Sequence, residues 1–396
     1  MVRLPDARGR ALGALCLTEI VSWGTLYYAF PVLLGPITAE TGWSATATVG
    51  AFSTGAIVSA VTGIAVGRLI DARGPRSVMT TGSVLGVVAL LAVAAAPTLP
   101  WFYLAWALAG VAQAATFYPP AFAAITGWYG ERRLRPLTTV TLVAGFASTV
   151  FAPVTAALAG HLTWRGTYVV LAVVLGVVTI PLHLLLLTPP WRPSDSSGRS
   201  GASGTATEEI EHARSVVRSA RFVVLAVVMT AAGFGLYAAT INLVPLLESR
   251  GASLGTAALG LGLVGVGQVA GRLVFGPLSR ATSPGGRVTV VVVVGGACVV
   301  VLGLLPGPVG LLVAVAVAAG AARGLHTLLQ ASVVSDRWGT ASFGRINGVF
   351  SAPTTVAVAL APAGGVVLAG LLGGFGPAFV VLGALAVVSG VVAFRL

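Results

Sequence analysis

Long runs of apolar residues, separated by short polar segments, follow one another along the whole chain. A helix of about 20 apolar residues crosses the roughly 30 Å hydrocarbon core of a bilayer. The alternating apolar and polar pattern of membrane β-barrels is not present in these runs, so helices are predicted. We predict twelve spans, at residues 11–34, 46–68, 77–96, 99–125, 137–160, 166–188, 221–246, 256–279, 288–305, 309–334, 344–371 and 376–394.

The composition supports an all-α membrane protein. Hydrophobic residues make up 56% of the 396 residues and charged residues only 9%, whereas soluble domains carry about 25% charge. The first apolar run is too long for a signal peptide and lacks a small-residue cleavage site, so we expect it to remain as a spanning helix. Cys16 and Cys298 fall in spans and are expected to act as apolar filling.

The positive charge of the chain is distributed according to membrane topology. The net charge is +12, and all 23 basic residues are arginines. Nineteen of them lie in segments on one side of the membrane, whereas Arg165 and Arg250 fall on the other side. By the positive-inside rule, the chain is predicted to lie in the cytoplasmic (inner) membrane with both termini in the cytoplasm. The basic excess therefore does not indicate a nucleic-acid partner.

A polar segment at residues 189–220 divides the chain into six spans and six spans. Its first half is a linker rich in Ser, Gly and Pro. Its second half is compatible with a short surface helix that has acids at its start and arginines at its end. The residues of this predicted helix are Thr207, Glu208, Glu209, Glu211, Arg214 and Arg218. We therefore predict an N-terminal half at 1–188 and a C-terminal half at 221–396.

The two halves match at a constant offset of 209 residues. The matches are Gly24 with Gly233, Tyr28 with Tyr237, Pro36 with Pro245, Gly42 with Gly251, Ser44 with Ser253, Gly67 with Gly276, Leu69 with Leu278, Gly130 with Gly339, and Ala152-Pro153 with Ala361-Pro362. A single offset over this length indicates a duplicated unit. Because each repeat has an even number of spans, both halves have the same orientation in the membrane. This is the parallel arrangement of one class of transporters, whose substrate sites lie near the midplane between the halves.

Two loops resemble a known transporter family. Residues 67–76, GRLIDARGPR, resemble the G-x-L-x-D-R-x-G-R-R loop of the major facilitator superfamily, with departures at Ala72 and Pro75. Residues 127–133, GWYGERR, are similar to a loop of its monocarboxylate and oxalate/formate branch. The resemblance implies the major facilitator fold, two pseudo-symmetric six-helix halves that alternate access by rocking. It also implies a gating role for Asp71, Arg73, Arg76, Arg132 and Arg133.

Three charged residues fall well inside predicted spans: Glu19, Arg272 and Arg323. Such residues are expensive in a membrane and usually functional. Their counterparts at the 209 offset are uncharged, which favours a ligand role over a scaffold role. Alternatives remain: Arg272 could extend its head group to the cytoplasmic surface, Arg323 could pair with Glu19, and Glu19 could be a neutral hydrogen-bonded group. His326 shares a helix face with Arg323 and is either packed or functional.

Two buried cations against one acid predict an anionic substrate. The planar guanidinium fork suits a carboxylate, so Arg272 and Arg323 are the predicted ligands. Around Arg272, the residues Gly265, Gln268 and Gly276 fall at the spacings of a span 8 motif of the carboxylate branch, in which the arginine binds the substrate carboxylate. Gln268 stands where that motif has an acid, so the coupled proton is assigned to Glu19 or His326.

Aromatic and polar residues of spans 1, 4 and 7 complete the predicted site, because spans 1, 4, 7 and 10 line the cavity in this superfamily. These residues are Tyr27, Tyr28, Phe117, Tyr118, Tyr237 and Asn242. Their rings would enclose an organic group while polar atoms bind the rest. The alternative is ordinary helix packing or an interfacial aromatic belt.

The sequence thus predicts a monomeric secondary transporter, embedded in membrane lipid, that moves a small monocarboxylate-like anion, coupled to protons. The alternative is efflux of a drug or another organic compound, although Gly145 and Pro153 give only part of the span 5 signature of drug exporters. An enzyme is not expected, because the four histidines are scattered and the sequence shows neither a Ser/His/Asp set nor a metal-ligand cluster. No cofactor or metal is expected. A receptor or sensor is a less favoured alternative.

Overall fold

A computed structural model describes residues 7–191, 211, 214–339 and 343–394. Twelve of its helical segments are long and apolar enough to cross a membrane, which confirms the all-α prediction of twelve spans. Spans 1 to 12 are Ala7–Thr41, Ala45–Arg73, Pro75–Ala94, Leu99–Tyr129, Arg135–Ala159, Trp164–Leu186, Ala220–Ile241, Leu254–Ala281, Pro284–Leu304, Val309–Trp338, Ile346–Leu371 and Phe375–Phe394.

The chain forms two compact units, residues 1–198 and 199–396. The first contains spans 1 to 6 and the second contains spans 7 to 12. Residues 192–210 lie outside the described residues, and with them the predicted Ser/Gly/Pro linker and the start of its surface helix at Thr207, Glu208 and Glu209. Residues 214–218 are helical. The limits of the halves at 188 and 221 stay a prediction.

The duplicated positions adopt matching backbone conformations within their own units. Gly42 and Gly251 both follow the end of a helix with positive φ, 69° and 85° respectively, a region that favours glycine. Two residues later, the Ser44 and Ser253 side chains each accept a hydrogen bond from the first turn of the next helix, at 3.2 Å. The repeated residues therefore terminate and start helices at the same two points of each unit.

Several spans are interrupted. Span 1 consists of helices Ala7–Trp23 and Ala29–Thr41 joined by a π-helical turn, Gly24–Tyr28. Span 4 is divided into Leu99–Thr116 and Tyr118–Tyr129, and span 5 into Leu134–Ala144 and Ala147–Ala159. The sequence predicted span 7 to continue to residue 246, but it ends at Ile241, and a separate helix, Leu243–Ser249, follows.

Spans 8 and 10 approach each other through glycines. A Cβ atom on Gly271 would collide with the Ala321 carbonyl oxygen, and one on Gly324 would collide with the Gln268 carbonyl oxygen. Small residues allow membrane helices to come this close, and the close approach maximises van der Waals contact. The helices that carry the two predicted substrate arginines are therefore in direct backbone contact.

The two arginines predicted on the non-cytoplasmic side each bind groups at or near helix ends of their own unit. Arg165 pairs with Glu40 at 3.1 Å and donates to the carbonyl oxygens of Ala94 and Ala96 at 2.8 Å. Arg250 donates to the Gly303 carbonyl oxygen at 2.9 Å. These contacts satisfy helix-end carbonyls that have no partner within their helix.

Candidate functional site

A side chain of span 4 forms a hydrogen bond with the π-helical turn of span 1. In a π-helix each N–H bonds to the carbonyl five residues earlier, as the Ala29 N–H does with Gly24. The Gln113 side chain, 3% exposed, donates to the Leu26 carbonyl oxygen at 3.0 Å. Sequence analysis did not select Gln113. The available signal was a lone amide in an otherwise apolar part of span 4.

Five aromatic rings meet at this turn, with Trp23 in contact with the other four. Phe117 stacks on Trp23 with 4.0 Å between ring centroids, and Tyr27 and Tyr118 lie at 5.3 Å. Tyr28 lies at 6.4 Å, because the π-helical turn brings the i+5 position to the same side as i+4. The structure therefore joins the four predicted aromatic residues of the N-terminal half into one group. Trp23, at its centre, was not predicted as a binding residue.

Glu19 is fully buried and bonded to this group. Its Oε2 accepts a hydrogen bond from Trp23 Nε1 at 3.0 Å, and its Oε1 has no hydrogen-bond partner among the described residues. An ionised carboxylate is costly to bury without full pairing. Glu19, Trp23 and Tyr27, spaced by four residues along span 1, therefore form a chain of contacts.

In the C-terminal half, Arg323 lies against Tyr237. The guanidinium carbon of Arg323 is 4.1 Å from the Tyr237 ring centroid, and Arg323 is only 3% exposed. A buried cation–π contact of this kind contributes about 2 kcal/mol. The guanidinium group lies over the face of the Tyr237 ring. The structure therefore brings together two residues that were predicted separately.

The backbone of Arg272 lies next to the glycine contact between spans 8 and 10. Its neighbour Gly271 meets span 10 at Ala321, and Gly324, the neighbour of Arg323, meets span 8 at Gln268. Arg272 is half-buried. The Gln268 side chain, one turn earlier, is 4% exposed, and its Nε2 has no hydrogen-bond partner among the described residues.

His326 connects span 10 to span 7. It is 1% exposed, and its Nε2 lies 3.2 Å from the Met229 carbonyl oxygen. Because a carbonyl oxygen can only accept, the proton of this bond belongs to Nε2. The Nδ1 atom is buried and has no hydrogen-bond partner in the part of the chain that the structure describes.

Asn242 stabilises the break after span 7. Its Nδ2 donates to the carbonyl oxygens of Ala238 at 2.9 Å and Pro362 at 3.3 Å. The amide nitrogen therefore bonds to backbone groups, and only Oδ1, which is buried and without a partner among the described residues, is left for a ligand.

The predicted gating loop lies at the end of span 2. The Arg76 Nε donates to the Leu184 carbonyl oxygen at 2.7 Å, and Trp191 Nε1 donates to the Asp71 carbonyl oxygen at 3.2 Å. The other predicted gating residues are exposed: Arg73, Arg132 and Arg133. The gating role of this group stays a prediction.

Comparison with known proteins gives a family and several relatives. The sequence profile of the Major Facilitator Superfamily matches residues 15–351. Monocarboxylate transporter 13 of Bos taurus is 26% identical over 331 residues, which cover 83% of this chain and 73% of the relative. The Rattus norvegicus protein of the same name is 25% identical over 330 residues, with the same coverage.

Two solved structures share the fold. A mutant of the nucleoside transporter NupG has a TM-score of 0.80 at 12% identity, covering 97% of this chain and 99% of that one. A bacterial homolog of the human lysosomal transporter Spinster has a TM-score of 0.76 at 15% identity, covering 99% and 97%. With its twelve spans and a family match over most of its length, the chain belongs to the Major Facilitator Superfamily and is a multi-pass membrane transporter, not an enzyme.

Proposed function

We propose that this transporter moves a small organic anion of the monocarboxylate type, coupled to protons, by alternating access. The observation that carries the proposal is the buried guanidinium group of Arg323, which lies over the Tyr237 ring. A guanidinium group is planar and carries its N–H donors at its edge. Two such donors match the two oxygens of a carboxylate.

Arg272 is the second proposed ligand of the carboxylate. Its backbone and that of Arg323 flank the same glycine contact between spans 8 and 10. Gln268, one turn before Arg272, offers a buried amide donor and no negative charge. An acid at that position would reduce the positive potential around Arg272, so glutamine favours an anionic ligand.

Glu19 is the proposed proton carrier. It is buried, it accepts one hydrogen bond from Trp23, and a proton is the simplest way to neutralise its charge in an apolar environment. His326 is the second candidate, through its Nδ1. The ring of Tyr237 would then contact the organic part of the substrate, and the aromatic residues around Trp23 stay proposed substrate residues of the N-terminal unit.

The curated relatives are consistent with this proposal, since both carry the name monocarboxylate transporter. Their identity to this chain is 25–26%, which supports the substrate class without specifying an acid. The alternative, efflux of a drug or another small organic compound, is favoured by the apolar surface of the five-ring group.

We also propose an inner-membrane monomer with both termini in the cytoplasm, because nineteen of the 23 arginines lie in segments on one side. Labelling of introduced cysteines from outside the cell tests this topology. Arg218→Cys should be protected, and Glu40→Cys should react. The opposite pattern would contradict the topology.

Counterflow in proteoliposomes tests the substrate site. Proteoliposomes that contain the purified protein are loaded with one of a panel of unlabelled monocarboxylates. Uptake of the labelled acid in exchange is then compared between the wild type and the variants Arg323→Gln and Arg272→Gln. Arg280→Gln is the matched control, because Arg280 is an exposed arginine at the end of span 8. We expect both site variants to lose most exchange and the control to retain it. Exchange of carboxylates at the wild-type rate in both site variants would refute the anion site, and transport of uncharged or cationic compounds alone would favour the alternative.

A further inference from the structure

A basic cleft lies at one end of the C-terminal unit, away from the residues proposed to bind substrate. It encloses about 420 Å³ between the start of span 7, the start of span 9 and the end of span 10. Arg221 and Arg337 both line it. No acidic side chain lines the cleft among the described residues, and the neighbouring Asp336 is bonded to Arg287 at 2.6 Å. Two guanidinium groups therefore share a cleft in which the described residues supply no counter-charge.

The Arg337 side chain lies over the start of span 9. Its Nη2 is 3.1 Å from the position that a Cβ atom on Gly285 would occupy, so a larger residue at 285 would make a tight contact with the guanidinium group. The Nε of Arg337 is buried and has no hydrogen-bond partner among the described residues. Arg337 thus lines the cleft close to the start of span 9.

The first turn of span 9 adds a backbone donor to the cleft. Pro284 has no N–H, and the Gly286 N–H bonds to the Ser283 side chain at 3.2 Å. The Arg287 N–H bonds to the Ser283 carbonyl oxygen at 2.9 Å. Among the described residues no bond is made by the Gly285 N–H, the other donor of this turn, which lies at the positive end of the helix dipole.

The corresponding corner of the N-terminal unit is closed and less basic. At the 209 offset Pro284 matches Pro75, and Arg337 matches Trp128, which is buried in an apolar cluster together with Trp191. The Trp191 indole fills the space beside Pro75, where it packs on the preceding glycine. Gly285 matches Arg76, so the N-terminal corner carries one arginine of its own, whereas the pair of arginines Arg221 and Arg337, which match Leu12 and Trp128, belongs to the C-terminal unit.

We propose that this cleft binds a phosphate group, either the phosphodiester of an anionic lipid or the phosphate of a soluble compound. One guanidinium fork already satisfies a carboxylate, whereas two guanidinium groups and a backbone N–H match an anion with three or four oxygens. Arg221 starts span 7 and Arg337 lies in the last turn of span 10, so the cleft lies at the predicted cytoplasmic boundary, at the level of lipid head groups. Trp338, which also lines the cleft, suits this boundary.

Thermal unfolding of the purified full-length protein in neutral detergent tests the site. Sodium phosphate and short-chain phosphatidylglycerol are titrated separately at constant ionic strength, with chloride and short-chain phosphatidylcholine as references. The wild type is compared with Arg221→Gln/Arg337→Gln. The control is Arg218→Gln/Arg280→Gln, which removes the same charge from exposed positions that do not line the cleft. The single variant Arg221→Gln is included because Arg221 is exposed and its replacement should not disturb folding.

We expect a saturable rise of Tm in the wild type and in the control, and an apparent Kd about tenfold higher in the cleft variants, as for loss of one charged hydrogen bond. A response to phosphatidylglycerol alone assigns a lipid head group, a response to inorganic phosphate alone assigns a soluble phosphate, and a response to both supports the shared site. No response, or an equal response in cleft and control variants, overturns the proposal. Counterflow by the cleft variants should stay at the wild-type level, which separates this site from the substrate arginines.

Discussion

The Trp23 indole N–H donates a 3.0 Å hydrogen bond to Glu19 Oε2, and the same indole stacks on Phe117 at 4.0 Å. A fully buried carboxyl group and the aromatic residues around Trp23 are therefore parts of one structure in the N-terminal unit. A change in the protonation of Glu19 would change the hydrogen bond to Trp23 and, through its ring, the packing of the whole group. This link would give the proposed proton coupling a physical route within one unit.

Replacing Glu19 by Gln tests this coupling. The amide keeps an oxygen that can accept from Trp23 but cannot carry a proton. We expect uptake driven by a pH gradient to fall at least roughly tenfold, while substrate exchange without a gradient continues, as for loss of a proton relay in a membrane. The measurement is labelled uptake and counterflow in proteoliposomes, each as a function of pH.

Glu40→Gln is the control for this variant, because Glu40 is a partly exposed acid that pairs with Arg165 on the other predicted side of the membrane. It should retain the pH dependence of the wild type. Uptake by Glu19→Gln that kept its full pH dependence would remove Glu19 as the proton carrier and leave His326 as the candidate.

Gln113→Leu tests the support of the π-helical turn. The change leaves the Leu26 carbonyl oxygen buried without the donor that Gln113 provides at 3.0 Å. An unsatisfied buried acceptor costs about 1–3 kcal/mol, so we expect a lower Tm and weaker transport. Thr116→Val is a matched control on the same span, because the Thr116 hydroxyl bonds only to the Ala112 carbonyl of its own helix, at 2.8 Å. Equal Tm values for the two variants would show that Gln113 does not support the turn.

The twelve spans and the repeat could be predicted because both depend on residues that are close to one another in the sequence. Apolar runs of bilayer length identify helices, and Gly42 and Gly251 repeat because each helix end needs the same positive φ. The end of span 7 was harder, because Asn242 and Pro245 stand in an otherwise apolar run and membrane helices tolerate proline. The bonds of Asn242 to Ala238 and Pro362, which stabilise that break, depend on a distant span.

The sequence predicted individual residues of the candidate site, but it did not predict the contacts between them. A buried charge such as Arg323 is conspicuous in an apolar run, whereas its cation–π contact with Tyr237 joins residues 86 positions apart. The π-helical turn was missed because Gly24–Tyr28 has no unusual composition. Its stabilising partner, Gln113, lies 87 positions away.

Gly271→Ala tests the close contact that positions the two arginines. The added Cβ would collide with the Ala321 carbonyl oxygen, so spans 8 and 10 must separate or shift. Overpacking of this kind costs about 1–3 kcal/mol, and we expect a lower Tm together with a higher KM for substrate. Gly276→Ala is the control on the same span, since no atom lies within 4 Å of its Cβ position. A wild-type KM in Gly271→Ala would show that the spacing of the two helices does not position the arginines.

Tyr237→Leu and Tyr237→Phe separate the two roles of the ring that lies 4.1 Å from the Arg323 guanidinium carbon. Leucine removes the cation–π contact, which is worth about 2 kcal/mol when buried, whereas phenylalanine keeps the ring and loses only the hydroxyl. If the ring orients Arg323 for a carboxylate, the KM in counterflow should rise by about tenfold or more in Tyr237→Leu and by less than about threefold in Tyr237→Phe. A large and equal loss in both variants would instead assign the role to the hydroxyl group. Wild-type KM values in both would show that the cation–π contact does not contribute to substrate binding.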